Sequence, residues 1–247
     1  MLHRPGAPHP ASAVSFPTVS DHPTKALVIS DGGLPALLAL AIEAERSIGA
    51  GGVAPAVMPW PTRSHLLRPQ LAAAANAARY FDAAAVEPPL APPGGRTAPD
   101  PGMAESLCLL AALHAARSAG CARVVWPVHH HHDDVSIAAD LDRIEADIDR
   151  AQLIGRLALL DGPGARPVKF ETPLVDLTDT QLADLVVDLA VPVQLCWWWG
   201  PGGEHAADAP AAEERAAWLP PLAHAGWIEA APVPQVPQAP GLPRAAV

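Results

Sequence analysis

The chain contains 247 residues with a formal charge of −10; half of the residues are hydrophobic and 30 are prolines. This length can bury a full core and suits one α/β domain with appendages better than two equal domains. Two lysines and no basic cluster argue against nucleic-acid binding, and no stretch reaches the roughly 18 apolar residues of a membrane span. The three cysteines indicate no disulfide framework, so we expect a protein of the reducing cytoplasm.

The first regular elements lie in residues 25–40, where an apolar run meets two adjacent glycines and passes into a second apolar run. Residues 1–24 show no hydrophobic period, and we expect a disordered arm there. Residues 26–30 predict a buried strand, 31–35 a tight turn, and the residues from 35 onward a helix that ends at the glycines of 49–52. In open α/β sheets, a strand, a glycine turn and a helix in this order point backbone N–H groups at an anion.

Strands and helices continue to alternate along the chain. This alternation is typical of a doubly wound, mainly parallel sheet, so we predict a Rossmann-like α/β domain over residues 25–192. We expect a small C-terminal helical lobe over 193–230 and a Pro-rich disordered tail over 231–247. Strands are predicted over 53–58, 123–128 and 168–172, and helices over 64–81, 105–119, 140–160, 178–189 and near 211–218, with a Pro-Gly loop over 87–101. The helix at 178 opens with Thr178-x-x-Gln181, which is a capping-box pattern.

A more specific pattern lies in residues 170–197, which contain Thr-Pro-Leu-Val-Asp-Leu-Thr before the predicted helix and Val-Pro-Val-Gln-Leu-Cys-Trp after it. This order resembles the 7-cyano-7-deazaguanine synthase family, a branch of the PP-loop pyrophosphatases. With the glycine turn included, the resemblance extends from about Lys25 to Trp227. It implies that ATP and Mg²⁺ drive conversion of 7-carboxy-7-deazaguanine to its nitrile for queuosine biosynthesis, and that four cysteines hold a structural zinc.

The ATP loop of that family reads Ser-Gly-Gly-x-Asp-Ser, and only its two glycines remain here. Asp31 replaces the first serine, Pro35 the aspartate and Ala36 the last serine. A carboxylate about 4 Å from a phosphate charge costs roughly 4 kcal/mol at an effective dielectric of about 20. Asp31 could itself cap the helix, so the turn can be stable without a ligand. We therefore assign no catalytic residue and predict a vestigial ATP loop made of Asp31, Gly32, Gly33, Leu34, Pro35 and Ala36.

The family's zinc ligands are missing as well. The three cysteines are widely spaced and form no C-x-x-C pair. We expect no zinc in this region, and packing by the neighbouring tryptophans instead. With Glu214-Arg215 as the register, the four cysteine positions hold side chains that cannot bind metal, namely Trp199, Ala206, Ala209 and Ala212. Asp179 also replaces a lysine of the family, so another basic group for anionic chemistry is absent.

A run of histidines and aspartates follows the strand predicted at 123–128. Doubly wound sheets bind ligands at the carboxyl ends of their strands, and imidazole and carboxylate are both competent metal ligands. Consecutive side chains rarely converge on one ion, so a solvated, pH-sensitive loop is the alternative. The candidate metal ligands are His129, His130, His131, His132 and Asp133. In the next helix, a solvated acidic face is predicted from Asp140, Asp142, Asp147 and Asp149.

Three functional hypotheses follow from these residues. The first is a catalytically degenerate homologue of 7-cyano-7-deazaguanine synthase that binds a purine-like ligand or a protein partner. The second is an active deazapurine ligase that binds ATP, together with Mg²⁺, through backbone N–H groups at Gly32, Gly33 and the start of the helix. The third is a metal-binding or scaffold protein that uses the loop His129–His132 or the Pro-rich ends.

Overall fold

The computed structural model describes residues 25–49, 52–89, 101–132, 137–160, 167–199 and 209–228. The predicted arm, 1–24, and tail, 231–247, lie outside them. The described chain forms a five-stranded parallel sheet in the order β3-β2-β1-β4-β5, which confirms the predicted doubly wound α/β fold. The strands are β1 (Ala26–Ser30), β2 (Ala56–Pro59), β3 (Ala84–Ala85), β4 (Arg123–Val125) and β5 (Lys169–Glu171).

Six α-helices are present in the described part of the chain. They are α1 (Leu34–Gly49), α2 (Leu67–Tyr80), α3 (Pro101–Ser118), α4 (Leu141–Leu157), α5 (Asp179–Asp188) and α6 (Ala209–His224). The helix α3 begins at Pro101, inside the segment predicted as a loop. The strand β3 was not predicted, because two exposed alanines carry no apolar alternation. Among the described helices, none has the length and apolar character required to span a membrane.

The two faces of β1 supply the cores of two helical layers. All five of its residues are buried. Leu27 and Ile29 pack with residues of α3 and α4, whereas Ala26 and Val28 pack with residues of α1, α2, α5 and α6. Burial of a Val, Leu or Ile side chain stabilises the fold by about 1.5–3 kcal/mol, so the central strand stabilises both layers at once.

The C-terminal segment shares its core with the sheet in the residues described. Helix α6 packs against α5, and Trp218 and Leu222 are fully buried in the cluster that contains Val28. Trp197 and Trp198 belong to the same cluster, with Trp199 and Trp227 packed at its border. The tryptophans of this segment therefore provide apolar packing.

A charged network links α1 to the neighbouring strands β4 and β5. Arg123 Nη2 lies 2.5 Å from Glu43 Oε2, and Arg123 Nη1 lies 2.8 Å from Glu171 Oε2. The Glu43 side chain is only 4% exposed. Buried charges are tolerated when they are paired and hydrogen-bonded, so this network sets how α1 lies on the sheet.

The capping box at the start of α5 is confirmed. Thr178 Oγ1 accepts a hydrogen bond from the Gln181 backbone N–H at 3.3 Å, and Gln181 Oε1 accepts one from the Thr178 N–H at 3.0 Å. The two side chains satisfy two N–H groups that the first helical turn leaves unpaired.

Replacement of Glu43 by alanine is expected to lower the free energy of unfolding by about 3 kcal/mol, because Arg123 loses its most buried partner. Urea unfolding of the variant measures this loss. The control is Glu45→Ala, an exposed glutamate on the same helix, which should change stability by less than about 0.5 kcal/mol. Equal losses in both variants would contradict a structural role for the network.

Replacement of Thr178 by alanine is expected to lower the free energy of unfolding by about 1 kcal/mol, through loss of the cap. Thr178→Ser is the matched control, because it removes the same methyl group but keeps the oxygen that accepts from Gln181. A serine variant as unstable as the alanine variant would show that the methyl group, and not the cap, matters.

Candidate functional site

The strand order places a crevice between β1 and β4. The helices that follow β1 and β4 lie on opposite faces of the sheet, so the loops that leave these two strands diverge. Doubly wound folds bind ligands at such a switch point, outside the carboxyl ends of the strands. Here the crevice receives the glycine turn after β1 and the histidine run after β4. The start of α5 joins them, because the Asp179 N–H donates to the His132 carbonyl at 3.0 Å.

The N–H groups of the glycine turn are bonded within the chain. The Gly33 N–H donates to Asp31 Oδ1 at 2.8 Å, and the Gly32 N–H donates to Ser30 Oγ at 3.2 Å. Gly32 has φ +77°, and a Cβ added there would lie 2.7 Å from Ala73 Cβ. The Trp197 N–H closes the other side by donating to the Gly32 carbonyl at 3.0 Å. The turn is therefore a buried packing element that only glycine fits.

Asp31 places a carboxyl group where the resemblance implied a phosphate. Burial raises the pKa of Asp31 above its ordinary value, the hydrogen bond from Gly33 opposes that rise, and the charge of Glu214 adds to it. Glu214 lies on α6 and accepts a hydrogen bond from Trp218 Nε1 at 3.1 Å. Two acidic groups thus act on each other near the end of β1, where an additional anion would be repelled.

Two residues of the histidine run meet Asp179 at the start of α5. His129 Nε2 lies 2.8 Å from Asp179 Oδ1, and His131 Nδ1 lies 3.3 Å from Asp179 Oδ2. One nitrogen of each imidazole and one oxygen of the carboxylate all lie within 4.8 Å of one another. The sequence predicts the two histidines as candidate ligands, whereas only the folded structure shows that Asp179 lies beside them.

His131 links the β4 loop to both C-terminal helices. The hydrogen bond to Asp179 and the ion pair with Glu214 raise the pKa of His131 from 6.5 to about 9. Burial opposes ionisation of Asp179, but the hydrogen bonds from His129 and His131 outweigh it and lower the pKa of Asp179 to about 2. Burial likewise opposes ionisation of Glu214, whose pKa is lowered by its ion pair with His131. The ring of Trp218 covers His131 at 4.8 Å between centroids.

The other residues of the run lie elsewhere. His130 Nε2 is 2.8 Å from Asp147 Oδ2, and both side chains are 5% exposed. The prediction that Asp147 is solvated was therefore wrong, because this carboxylate faces the sheet and also accepts from Arg150 Nη1 at 2.8 Å. His132 is fully buried and neither ring nitrogen has a hydrogen-bond partner among the described residues. Asp133 lies outside those residues.

Of the positions aligned with the family's zinc cysteines that the structure describes, Trp199 is packed, whereas Ala209 and Ala212 are exposed. Trp199 packs edge to face on Trp227, and the guanidinium carbon of Arg215 lies 4.3 Å from the centre of its ring. Ala209 and Ala212 lie on α6, and Ala206 is outside the described residues.

The sequence predicts no role in this site for Asp179 or Glu214. It identifies Asp179 only as the replacement for a lysine of the family, and Glu214 only as a residue that sets the register of the family's zinc positions. One signal pointed to Asp179: it follows β5 in the chain, and the carboxyl ends of parallel strands share one edge of the sheet. No comparable signal pointed to Glu214, since α6 reaches the crevice only by packing on α5.

A rise in pH should weaken the contact between His131 and its two carboxylates. Because the pKa of His131 is raised, its stabilising contribution is complete below about pH 6.5 and is lost as the pH rises through 9. The lowered pKa of Asp179 means that its contribution is complete above 3.8 and is lost as the pH falls toward 2. His131 is 43% exposed, so solvent screening limits the expected loss to about 1 kcal/mol.

Urea unfolding of metal-free protein at about pH 6 and pH 9.5 measures this loss. His131→Gln should remove most of the pH dependence in that range. His114→Gln, which changes an exposed histidine on α3, is the control and should retain it. The same pH dependence in all three proteins would contradict the assignment to His131.

The chain was compared with protein families, curated sequences and solved structures. No protein-family model matches the chain. No curated protein sequence matches it either. The fold is similar to that of the U34-tRNA thiolase NcsA from Methanococcus maripaludis, solved with its 4Fe–4S cluster, at 12% sequence identity and a TM-score of 0.44 over 83% of this chain and 72% of that one. A likeness of this size carries no argument about function, so the site has to be interpreted from its own residues.

Proposed function

We propose that this chain is a degenerate homologue of 7-cyano-7-deazaguanine synthase that binds a purine-like ligand without ATP-dependent chemistry. The observation that carries this proposal is the occupied glycine turn. Phosphate binding at such a turn needs free backbone N–H groups. Those of Gly32 and Gly33 donate instead to Ser30 and Asp31.

The charge of the crevice supports the same conclusion. Asp31, Asp179 and Glu214 contribute three carboxyl groups, and the histidines that accompany them are engaged by Asp179 and Glu214. A triphosphate would have to enter beside these acids without the serines, aspartate and lysine of the family. These acids also disfavour the hypothesis of an active ligase that binds ATP through backbone N–H groups, and two of its donors, the N–H groups of Gly32 and Gly33, are bonded to Ser30 and Asp31.

A purine-like ligand is favoured by the position of the segment that carries the resemblance. Residues 170–197 run from β5 through α5, and the segment reaches the crevice at two points. Asp179 contacts His129 and His131 near its middle, and the Trp197 N–H bonds the Gly32 carbonyl at its end. The part of the chain that resembles a deazapurine enzyme thus forms one wall of the crevice.

The test uses purified, tag-free full-length protein titrated with Mg·ATP and with 7-carboxy-7-deazaguanine, followed by product mass spectrometry. We expect the deazapurine to raise the melting temperature, no response to Mg·ATP, and no nitrile or pyrophosphate. Nitrile formation by the wild type would overturn the proposal. No response to the deazapurine would overturn the proposal that the ligand is purine-like. Of the first hypothesis, only binding of a protein partner would then remain.

A variant that restores the family's loop tests whether the substitutions in the turn are what prevents ATP binding. The triple replacement Asp31→Ser, Pro35→Asp and Ala36→Ser removes the Asp31 carboxylate that accepts from the Gly33 N–H and places a carboxylate at position 35, as in the family's loop. Its affinity for Mg·ATP should exceed that of the wild type by at least about tenfold, as measured by calorimetry. Asp184→Ser, an exposed change on α5, is the control. No gain in a folded triple variant would show that the turn does not limit ATP binding.

A further inference from the structure

We propose that His129, His131 and Asp179 form a binding site for one divalent transition metal of the zinc type, with a coordination position left open. The proposal stands apart from the purine ligand and from the zinc positions of the resembling family. It rests on the distances between the three side chains, on what holds the far side of each imidazole, and on the place of the group in the fold.

The distances suit a small ion. Ligand atoms bonded to zinc at about 2.1 Å in a tetrahedral arrangement lie roughly 3.4 Å from each other. His129 Nε2 and His131 Nδ1 lie 2.8 Å and 3.3 Å from Asp179 Oδ1. The full set lies within 4.8 Å, so small side-chain rotations suffice to place all three around one ion.

The far nitrogen of each imidazole faces an acceptor, which is the usual arrangement around metal-bound histidines. His129 Nδ1 lies 3.3 Å from the Leu174 carbonyl oxygen. His131 Nε2 lies 3.6 Å from Glu214 Oε1, which is held in turn by Trp218 Nε1. These contacts fix the ring orientations and direct the remaining nitrogens toward Asp179.

The number of N–H donors on His129 also supports a metal site. A neutral imidazole carries one N–H, yet both nitrogens of His129 face oxygen acceptors. A bound cation would accept the lone pair of one nitrogen on each ring and leave the other N–H to donate to Leu174 or Glu214. The ion would take the place of the protons that now join the rings to Asp179.

The chemistry of the donors selects the class of metal. Two imidazoles and one carboxylate favour zinc-like divalent ions over Mg²⁺ and Ca²⁺, which prefer oxygen ligands. Three protein ligands with one open position are typical of sites where a metal contacts a ligand or water. His131 is 43% exposed and His129 only 1%, so an ion would be anchored on the buried side and reached from the exposed side.

The test is calorimetric titration of EDTA-treated, tag-free, full-length protein with Zn²⁺, with the visible spectrum of bound Co²⁺ as a second readout of coordination. We expect one ion per chain and no comparable binding of Mg²⁺. Asp179→Asn retains all four histidines of the run and should weaken Zn²⁺ binding by at least about 100-fold. If the histidine run alone binds metal adventitiously, this variant will bind as the wild type does, and the proposal is overturned.

Further variants keep the test decisive if Asp179→Asn does not fold. His131→Ala changes a half-exposed side chain and should abolish one-to-one binding. Glu214→Gln removes the charge beside His131 and should weaken binding by about 10-fold with an altered Co²⁺ spectrum. His114→Ala, on the exposed face of α3, should bind as the wild type does. No Zn²⁺ binding by the wild type, or unchanged binding by folded His131→Ala, would overturn the proposal.

Discussion

The structure depends on complete burial of β1 between β2 and β4. A strand in this position must pair its backbone along both edges and cover side chains on both faces, because unpaired polar groups in a core are costly. Helices on both sides of the sheet meet that need. The change of winding direction around β1 then opens the crevice at its carboxyl end, so the location of the site follows from how one strand is buried.

At that end the chain leaves the sheet in a turn whose two glycine N–H groups are bonded to side chains of the turn itself. Ser30 and Asp31 accept from the turn's own N–H groups, and α2 fills the space beside Gly32. A helix N-terminus attracts negative charge, and here a side chain supplies it. In related architectures the helix dipole helps to bind an anionic ligand, whereas here it interacts with a carboxyl group of the chain itself and stabilises the turn.

The same crevice collects acids and imidazoles from three distant parts of the chain. Asp179 and Glu214 hold His131 from two helices, and Trp218 covers its ring. The electrostatic preference of the crevice is therefore for cations, the reverse of what a nucleotide loop requires. The two proposals, a turn that does not bind phosphate and a metal site at the histidines, therefore rest on the same distribution of charge.

Local residue patterns were sufficient to predict most of the helices and strands and the residues of the glycine turn. Apolar periodicity predicted the helices, and Thr178 and Gln181 predicted the cap that the structure contains. The position of the histidines after β4 predicted that they lie at the carboxyl ends of the strands. These features are local, since each depends on residues a few positions apart. Strand β3 and the early start of α3 were not predicted, because alanine and proline contribute little to a periodic hydrophobic pattern.

Only the tertiary structure decided which side chains meet. His129 and Asp179 are 50 residues apart, and His130 turns away from its neighbours to a buried Asp147 that the sequence placed in solvent. Adjacent residues of an extended segment point to opposite sides, so the run divides between two environments. Partners across such separations are chosen by the packing of whole helices, which no spacing within the sequence records.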